Sequence, residues 1–132
     1  MRMWSGRTVR LISHLMMAAG ISVIATVTNG QVPATPQATQ EINGLLDFVS
    51  HSECKFVRNG SEYSGPRARA HLEQKLNHLE GKNMVNSAED FIDLAATKSS
   101  MSGRAYEVRC SGGVEPASTW LKRELQRQRQ LH

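Results

Sequence analysis

The segment Cys54-Lys55-Phe56-Val57-Arg58-Asn59-Gly60-Ser61-Glu62-Tyr63-Ser64-Gly65-Pro66 decides the fold. At its centre stands Asn59-Gly60, a strong hairpin signal because both residues tolerate the positive φ that a type I′ turn demands. Apolar residues flank the pair, which predicts antiparallel strands over 55–58 and 61–64. Asn59-Gly60-Ser61 also fits the N-glycosylation sequon, with a plain turn as the alternative. Gly65-Pro66 ends the hairpin, and Pro66 suits the first turn of a helix, where its missing N–H costs nothing.

Downstream, Ala68, Leu72, Leu76 and Leu79 line one face of that helix, and Gly81 can end it. Ser87-Ala88-Glu89-Asp90 resembles a capping box with Asp in the place of Glu or Gln. Ala88, Phe91, Ile92 and Ala95 form the next apolar stripe. A polar loop over 98–103 leads to a strand over 105–110, whose Tyr106, Val108 and Cys110 share one side. Ser111-Gly112-Gly113 breaks it, and Pro116 opens a last helix with Ala117, Trp120, Leu121 and Leu125 inward. Residues 126–132 read as a solvated end that frays.

Upstream, Ile42, Leu45, Leu46 and Val49 recur at helical spacing, with Thr39 as the expected N-cap and 50–53 as a polar end. The expected class is α+β: a three-stranded antiparallel sheet packed by three to four helices on one side. No internal repeat is visible.

The first 30 residues read differently. Arg2, Arg7 and Arg10 precede an apolar run over 11–27, the pattern of a secretory signal. The densest part covers only 15–27, whereas a spanning helix needs about 20 residues. Cleavage is expected between Gly30 and Gln31; a site after Val27 is poorer because its last residue is not small. An uncleaved anchor is the alternative. Residues 31–40, with two prolines and no charge, read as a flexible linker. One domain over 41–132 follows.

The whole chain of 132 residues carries 16 basic and 12 acidic residues, net +4. Without the three leader arginines the balance is 13 to 12, so the basic character belongs largely to the leader. That removes the electrostatic footing for nucleic-acid binding. The remaining +1 divides into −2 over residues 31–115 and +3 from Pro116 onward.

Two cysteines remain, Cys54 and Cys110. An oxidising compartment favours a disulfide between them. A loop of 55 residues corresponds to about 4 kcal/mol on the chain-entropy estimate. Free thiols, or metal ligation by Cys54 with His51, are the alternatives, although zinc wants four ligands at recognisable spacings. His71 and His78 lie about 10 Å apart along a helix, too far for one ion without inward bending. No metal and no cofactor is expected. The serines over 98–103 could present hydroxyls and N–H groups to an oxyanion, but neither a nucleophile elbow nor a P-loop is present. A helix exit satisfying loose carbonyls is the simpler reading. Glu89, Asp90 and Asp93 suit a helix start and need no acid–base role.

Four fragments taken together carry a resemblance. They are Phe56-Val57-Arg58-Asn59-Gly60, Ala68-x-x-His71-Leu72-x-x-Lys75-Leu76, Ala88-Glu89-x-Phe91-Ile92-Asp93 and Ser99-Ser100-x-Ser102-Gly103-x-x-Tyr106-x-Val108. In order and spacing they resemble the YfeK-like small exported proteins of bacteria, domain of unknown function 5329, over roughly 41–125. The resemblance implies a Gram-negative periplasmic protein with a signal peptide and implies no activity. The family often reads Ser-Gly-Lys-Pro-Tyr where this chain has Ser102-Gly103-Arg104-Ala105-Tyr106, which keeps the charge and loses the rigid proline.

The matched polar residues Arg58, His71, Lys75, Ser99, Ser100 and Ser102 are the candidate binding face. Their expected ligand is an anionic or carbonyl group, such as a carboxylate of a cell-wall component or of a periplasmic partner protein. The structural alternative has Arg58 paired with an acid and His71 anchoring the serine loop. The expected function is that of a non-enzymatic periplasmic binding or interaction module, without nucleic acid and without a membrane span after cleavage. The alternatives are a small hydrolase using a serine of 99–102 with His71 as base, or a purely structural envelope protein.

Overall fold

The computed structural model describes residues 34–132, together with Gly20 and Ser22. The rest of the expected leader, its cleavage site and residues 31–33 of the linker lie outside the described residues. The elements are α1 (Pro36–His51), β1 (Lys55–Arg58), β2 (Ser61–Tyr63), α2 (Gly65–Gly81), α3 (Ala88–Ala95), β3 (Glu107–Cys110), β4 (Gly113–Pro116) and α4 (Ala117–Gln130). The class is α+β. The sheet is antiparallel in the order β2-β1-β3-β4, so it has four strands where three were expected.

The hairpin forms as the sequence dictates. Asn59 and Gly60 have φ of 50° and 81°, and Phe56 pairs with Tyr63 while Arg58 pairs with Ser61. Val108 of β3 sits opposite Phe56. Alternation then puts Phe56, Arg58, Tyr63, Tyr106 and Val108 toward the helices, and Lys55, Val57, Glu107 and Arg109 on the outer side. The extra strand arises because Ser111-Gly112 is itself a two-residue turn: Cys110 pairs with Gly113, which has φ 133°. A strand of four residues ending on proline, with exposed Val114, has none of the apolar alternation that announces a strand.

The first helix starts earlier than expected. Pro36 opens it, and Thr35 rather than Thr39 is the cap, its Oγ1 accepting from the Ala38 N–H at 3.1 Å. Residues 36–40, read as linker, are thus helical, and Ala38 is buried. At α3 the Ser87 hydroxyl accepts from Asp90 N–H (3.1 Å), and the Asp90 carboxylate accepts from Asn86 N–H (2.9 Å), a capping box displaced by one residue. The start of α2 lies hard against the end of α1. A Cβ on Gly65 would meet the Val49 carbonyl oxygen at 2.5 Å, so only glycine allows that approach.

Leu45, Val49, Phe91, Ile92, Val108 and Leu121 form the centre of the core. Trp120 of α4 packs on Phe48 (ring centroids 4.4 Å) and edge-on to Phe56 (5.5 Å), tying α1 and α4 to the sheet. Cys54 and Cys110 form a disulfide with Cα atoms 4.5 Å apart, joining the start of β1 to the end of β3. The last helix runs on to Gln130 instead of fraying from 126. Arg129 bonds both Glu41 and Glu89, and Glu124 accepts from Arg127 and Gln128.

Candidate functional site

The hairpin places Arg58 on the helix side of the sheet, and α2 brings His71 and Lys75, one turn apart, to meet it. Arg58 Nη1 lies 2.8 Å from His71 Nδ1 and 3.2 Å from Nε2. His71 Nε2 lies 3.0 Å from the Tyr106 hydroxyl. Lys75 Nζ donates to that same oxygen (3.2 Å) and to the Lys98 carbonyl (2.9 Å), and stands 4.9 Å from the Tyr106 ring centroid. A guanidinium can only donate, so in neutral His71 the Nδ1 accepts from Arg58 and Nε2–H donates to Tyr106. Tyr106 then accepts two bonds and keeps its own O–H free.

A second guanidinium belongs to the group. Arg58 and Arg67 lie 5.4 and 5.6 Å from the Tyr63 ring centroid, both within cation–π reach. Among the described residues, no ion pair includes Arg58, Arg67 or Lys75. Arg58 Nε is buried without any hydrogen-bond partner. The local potential follows. Burial, then the Arg58 and Lys75 charges, hold the His71 pKa below its ordinary value. Burial and Arg58 lower that of Lys75. Burial raises that of Tyr106, so its phenol stays protonated.

Arg58, Tyr63, Arg67, His71 and Tyr106 line a cavity of about 310 Å³ between the sheet and the helices, and Lys75 stands just outside it. Val49, Phe56, Ala68, Leu72, Ala117 and Leu121 line its apolar part. Glu107 also borders it, but strand register turns that side chain with Val57 to the outer face of the sheet.

The six candidate residues divide into two groups. Arg58, His71 and Lys75 converge around Tyr106. The serines belong to a neighbouring network built on Asn59: Asn59 Nδ2 donates to Ser99 Oγ (3.3 Å), and Ser102 Oγ donates to Asn59 Oδ1 (2.5 Å). Ser99 is 5% exposed and also accepts from Ser102 N–H, whereas Ser100 is exposed. Asn59, not His71, therefore anchors the serine loop, and Arg58 bonds a histidine rather than an acid. Tyr63, Arg67 and Tyr106 were not singled out by sequence. Tyr106 read as a core residue, and Arg67 has no patterned neighbour.

Residues 36–129, which include every residue of this site, match a family of unknown function (DUF5329). The chain belongs to this family. A curated relative in Salmonella typhimurium, "Uncharacterized protein YfeK", is 36% identical over 66 residues. That match spans 49% of this chain and 53% of the relative, so about half of each is compared. No solved structure matches. Membership assigns no reaction, which leaves the site's own chemistry to argue for a role. Among the described residues there is no group of three or more His, Cys, Asp or Glu side chains arranged to hold a metal ion. Cys54 is committed to the disulfide, and His51 Nδ1 lies 2.8 Å from the Asp47 carbonyl oxygen. No helix among the described residues is long and apolar enough to cross a membrane.

Proposed function

We propose that the protein is an exported binding module of the periplasm, its leader removed between Gly30 and Gln31, that captures a carboxylate or similar anion at Arg58, His71, Lys75 and Tyr106. The observation that carries this reading is that Arg58 and Arg67 line one cavity with His71, that Lys75 stands beside them on the Tyr106 hydroxyl, and that, among the described residues, none of these three cations is paired with a carboxylate. Like charges held together destabilise a fold unless an anion compensates them. The buried, unpartnered Arg58 Nε is a second such debt, since an unsatisfied buried donor costs about 1–3 kcal/mol. The free Tyr106 O–H adds a donor. Ser99 and Ser102 support the rim through Asn59, and the partner is a periplasmic protein or a cell-wall component that presents the anion.

A hydrolase would need a serine oxygen within about 3 Å of a base nitrogen. The hydrogen bonds of His71 go to Arg58 and Tyr106, and those of Ser99 and Ser102 to Asn59 and nearby N–H groups. This arrangement favours binding over hydrolysis.

The test is an NMR titration of the His71 ring in protein secreted through its own leader, with acetate against chloride at equal ionic strength. Acetate is expected to shift the ring signals and raise the His71 pKa, and Arg58→Gln to abolish both changes. Ring signals indifferent to acetate at tens of millimolar would sink the reading. Intact mass of the secreted protein tests export: loss of residues 1–30 is expected, and a retained N-terminus in soluble cytosolic material with both thiols reactive would overturn it.

A further inference from the structure

The apolar part of the cavity has no role in holding an anion, yet the same cavity is lined by Arg58, Arg67 and His71. Its walls come from every layer of the domain: Val49 of α1, Phe56 of β1, Ala68 and Leu72 of α2, Ala117 and Leu121 of α4. Alanines at 68, 96 and 117 leave the space that larger side chains would fill. A cavity of about 310 Å³ holds about ten groups of the size of a water molecule or a methylene, at roughly 30 Å³ each. The polar lining groups Arg58, Tyr63, Arg67 and His71 are exposed or half-buried, whereas Val49, Phe56, Ala68, Leu72, Ala96, Ala117 and Leu121 are buried, with the Tyr106 side chain between. Such a division, charge at the mouth and hydrocarbon below, is complementary to a molecule divided the same way.

We infer that the ligand is a medium-chain fatty acid, its carboxylate on Arg58 and Tyr106 and its saturated chain of about eight to ten carbons in the cavity. This rests on the anion site proposed above and puts a small amphiphile, in place of a periplasmic protein or a cell-wall component, as the molecule that presents the carboxylate. An unbroken chain is favoured over a peptide terminus because the alanine, valine, leucine and phenylalanine side chains of the deeper walls offer nothing to an amide. Burying an unpaired amide there is unfavourable, whereas each buried methylene gains about 0.8 kcal/mol, roughly fourfold in affinity. The terminal carboxylate answers the unpaired guanidinium, which accounts for a cation placed at the mouth of an apolar hole.

The test is calorimetric titration of the full secreted protein, delipidated, with acetate, hexanoate, octanoate, decanoate and dodecanoate, and with octylamine and N-acetyl-leucyl-leucine as controls. Affinity is expected to climb about threefold to fourfold per methylene and to level off between octanoate and decanoate. Octylamine is expected to bind at least a hundredfold more weakly than octanoate. Arg58→Gln should weaken octanoate ten- to hundredfold. Ala117→Leu fills the cavity floor and should erase the chain-length dependence while acetate still shifts His71. Ala70→Trp does the same from the rim, at an exposed position on α2 that borders the cavity, so a folding defect in one variant does not spoil the test. Octanoate binding no tighter than acetate overturns the fatty-acid assignment and leaves the anion site standing. Tighter binding of the acetylated dipeptide also overturns it, in favour of a peptide terminus. Octylamine equal to octanoate, or no binding by any carboxylate, overturns both.

Discussion

The arginines near the end of α4 and the basic residues gathered at Tyr63 and Tyr106 on one side of α2, Arg58, Arg67 and Lys75, are built on opposite principles, while Arg69 of α2 pairs with Asp47 and Glu73 like the former. Arg127 bonds Glu124, and Arg129 reaches Glu41 and Glu89, which belong to two other helices. Each cation there has a carboxylate, and both sides respond: Glu89 and Glu124 are held below the usual carboxylate range by their arginines, and the Arg129 guanidinium is held more tightly protonated. Around α2, Arg58, Arg67 and Lys75 face a histidine, two tyrosines and backbone, and His71 and Lys75 titrate more easily toward neutrality. The first region uses charge to join helices. The second leaves charge unanswered, which is the feature the proposed anion site rests on.

The largest expected effect removes the frame both regions share. Replacing Cys54 and Cys110 by alanine should lower unfolding free energy by about 4 kcal/mol in urea, by the loop-closure estimate, and should weaken the clamp and the cluster together. Loss of one region's NMR signals with the other intact would show that they do not hang on the same sheet. Next in size, Glu124→Ala should cost about 1–2 kcal/mol, because a buried acceptor of three charged or polar donors is lost. Arg58→Met keeps a stem of similar length and removes the unsatisfied Nε together with the bond to His71, two effects of opposite sign, so stability should change by less than about 0.5 kcal/mol while anion binding disappears. A large destabilisation by Arg58→Met would erase the contrast.

Smaller again, Arg129→Ala should cost about 0.5–1 kcal/mol at neutral pH, since this guanidinium is half exposed and its pairs are screened. The Glu89 carboxyl has a folded pKa below 4.5, so its share is complete above that value and is lost as pH falls through the folded pKa. Wild type and variant should therefore converge in acid. The smallest effect concerns His71. Its folded pKa lies below 6.5, so the unfolded chain takes up the proton first. Stability is insensitive to this group above pH 6.5 and declines as pH falls from 6.5 to the folded pKa. Urea midpoints between pH 7 and 5 should show that decline in the wild type and a flatter profile in His71→Gln.

Much of this was legible in the residues themselves. Asn59-Gly60 announced the hairpin because its backbone demand is local, and the stripes of α1 to α4 announced their buried faces. The fourth strand was hidden because Gly112-Gly113 reads equally as a stop or as a turn, and four residues give no period to count. The early start of α1 was hidden by Pro33 and Pro36, which mark both linkers and first turns. Arg58, His71 and Lys75 could be grouped, but their common partner Tyr106 could not, since its hydroxyl's surroundings depend on how α2 lies against the segment that leads into β3. The sequence groups Ser99, Ser100 and Ser102 with the binding face, or in the structural alternative ties them to His71, and reads Asn59 for its backbone alone; the Asn59 side chain is what holds Ser99 and Ser102.

The cross-link between Cys54 and Cys110 closes a ring that contains β1, β2, α2, α3 and nearly all of β3, leaving α1 and α4 outside it. The loop carrying Met101, which is 98% exposed, is part of that ring. A protease that nicks the chain beside Met101 therefore leaves a single covalent molecule, with Arg58 and Lys75 on one side of the cut and Tyr106 on the other, still tethered through sulfur.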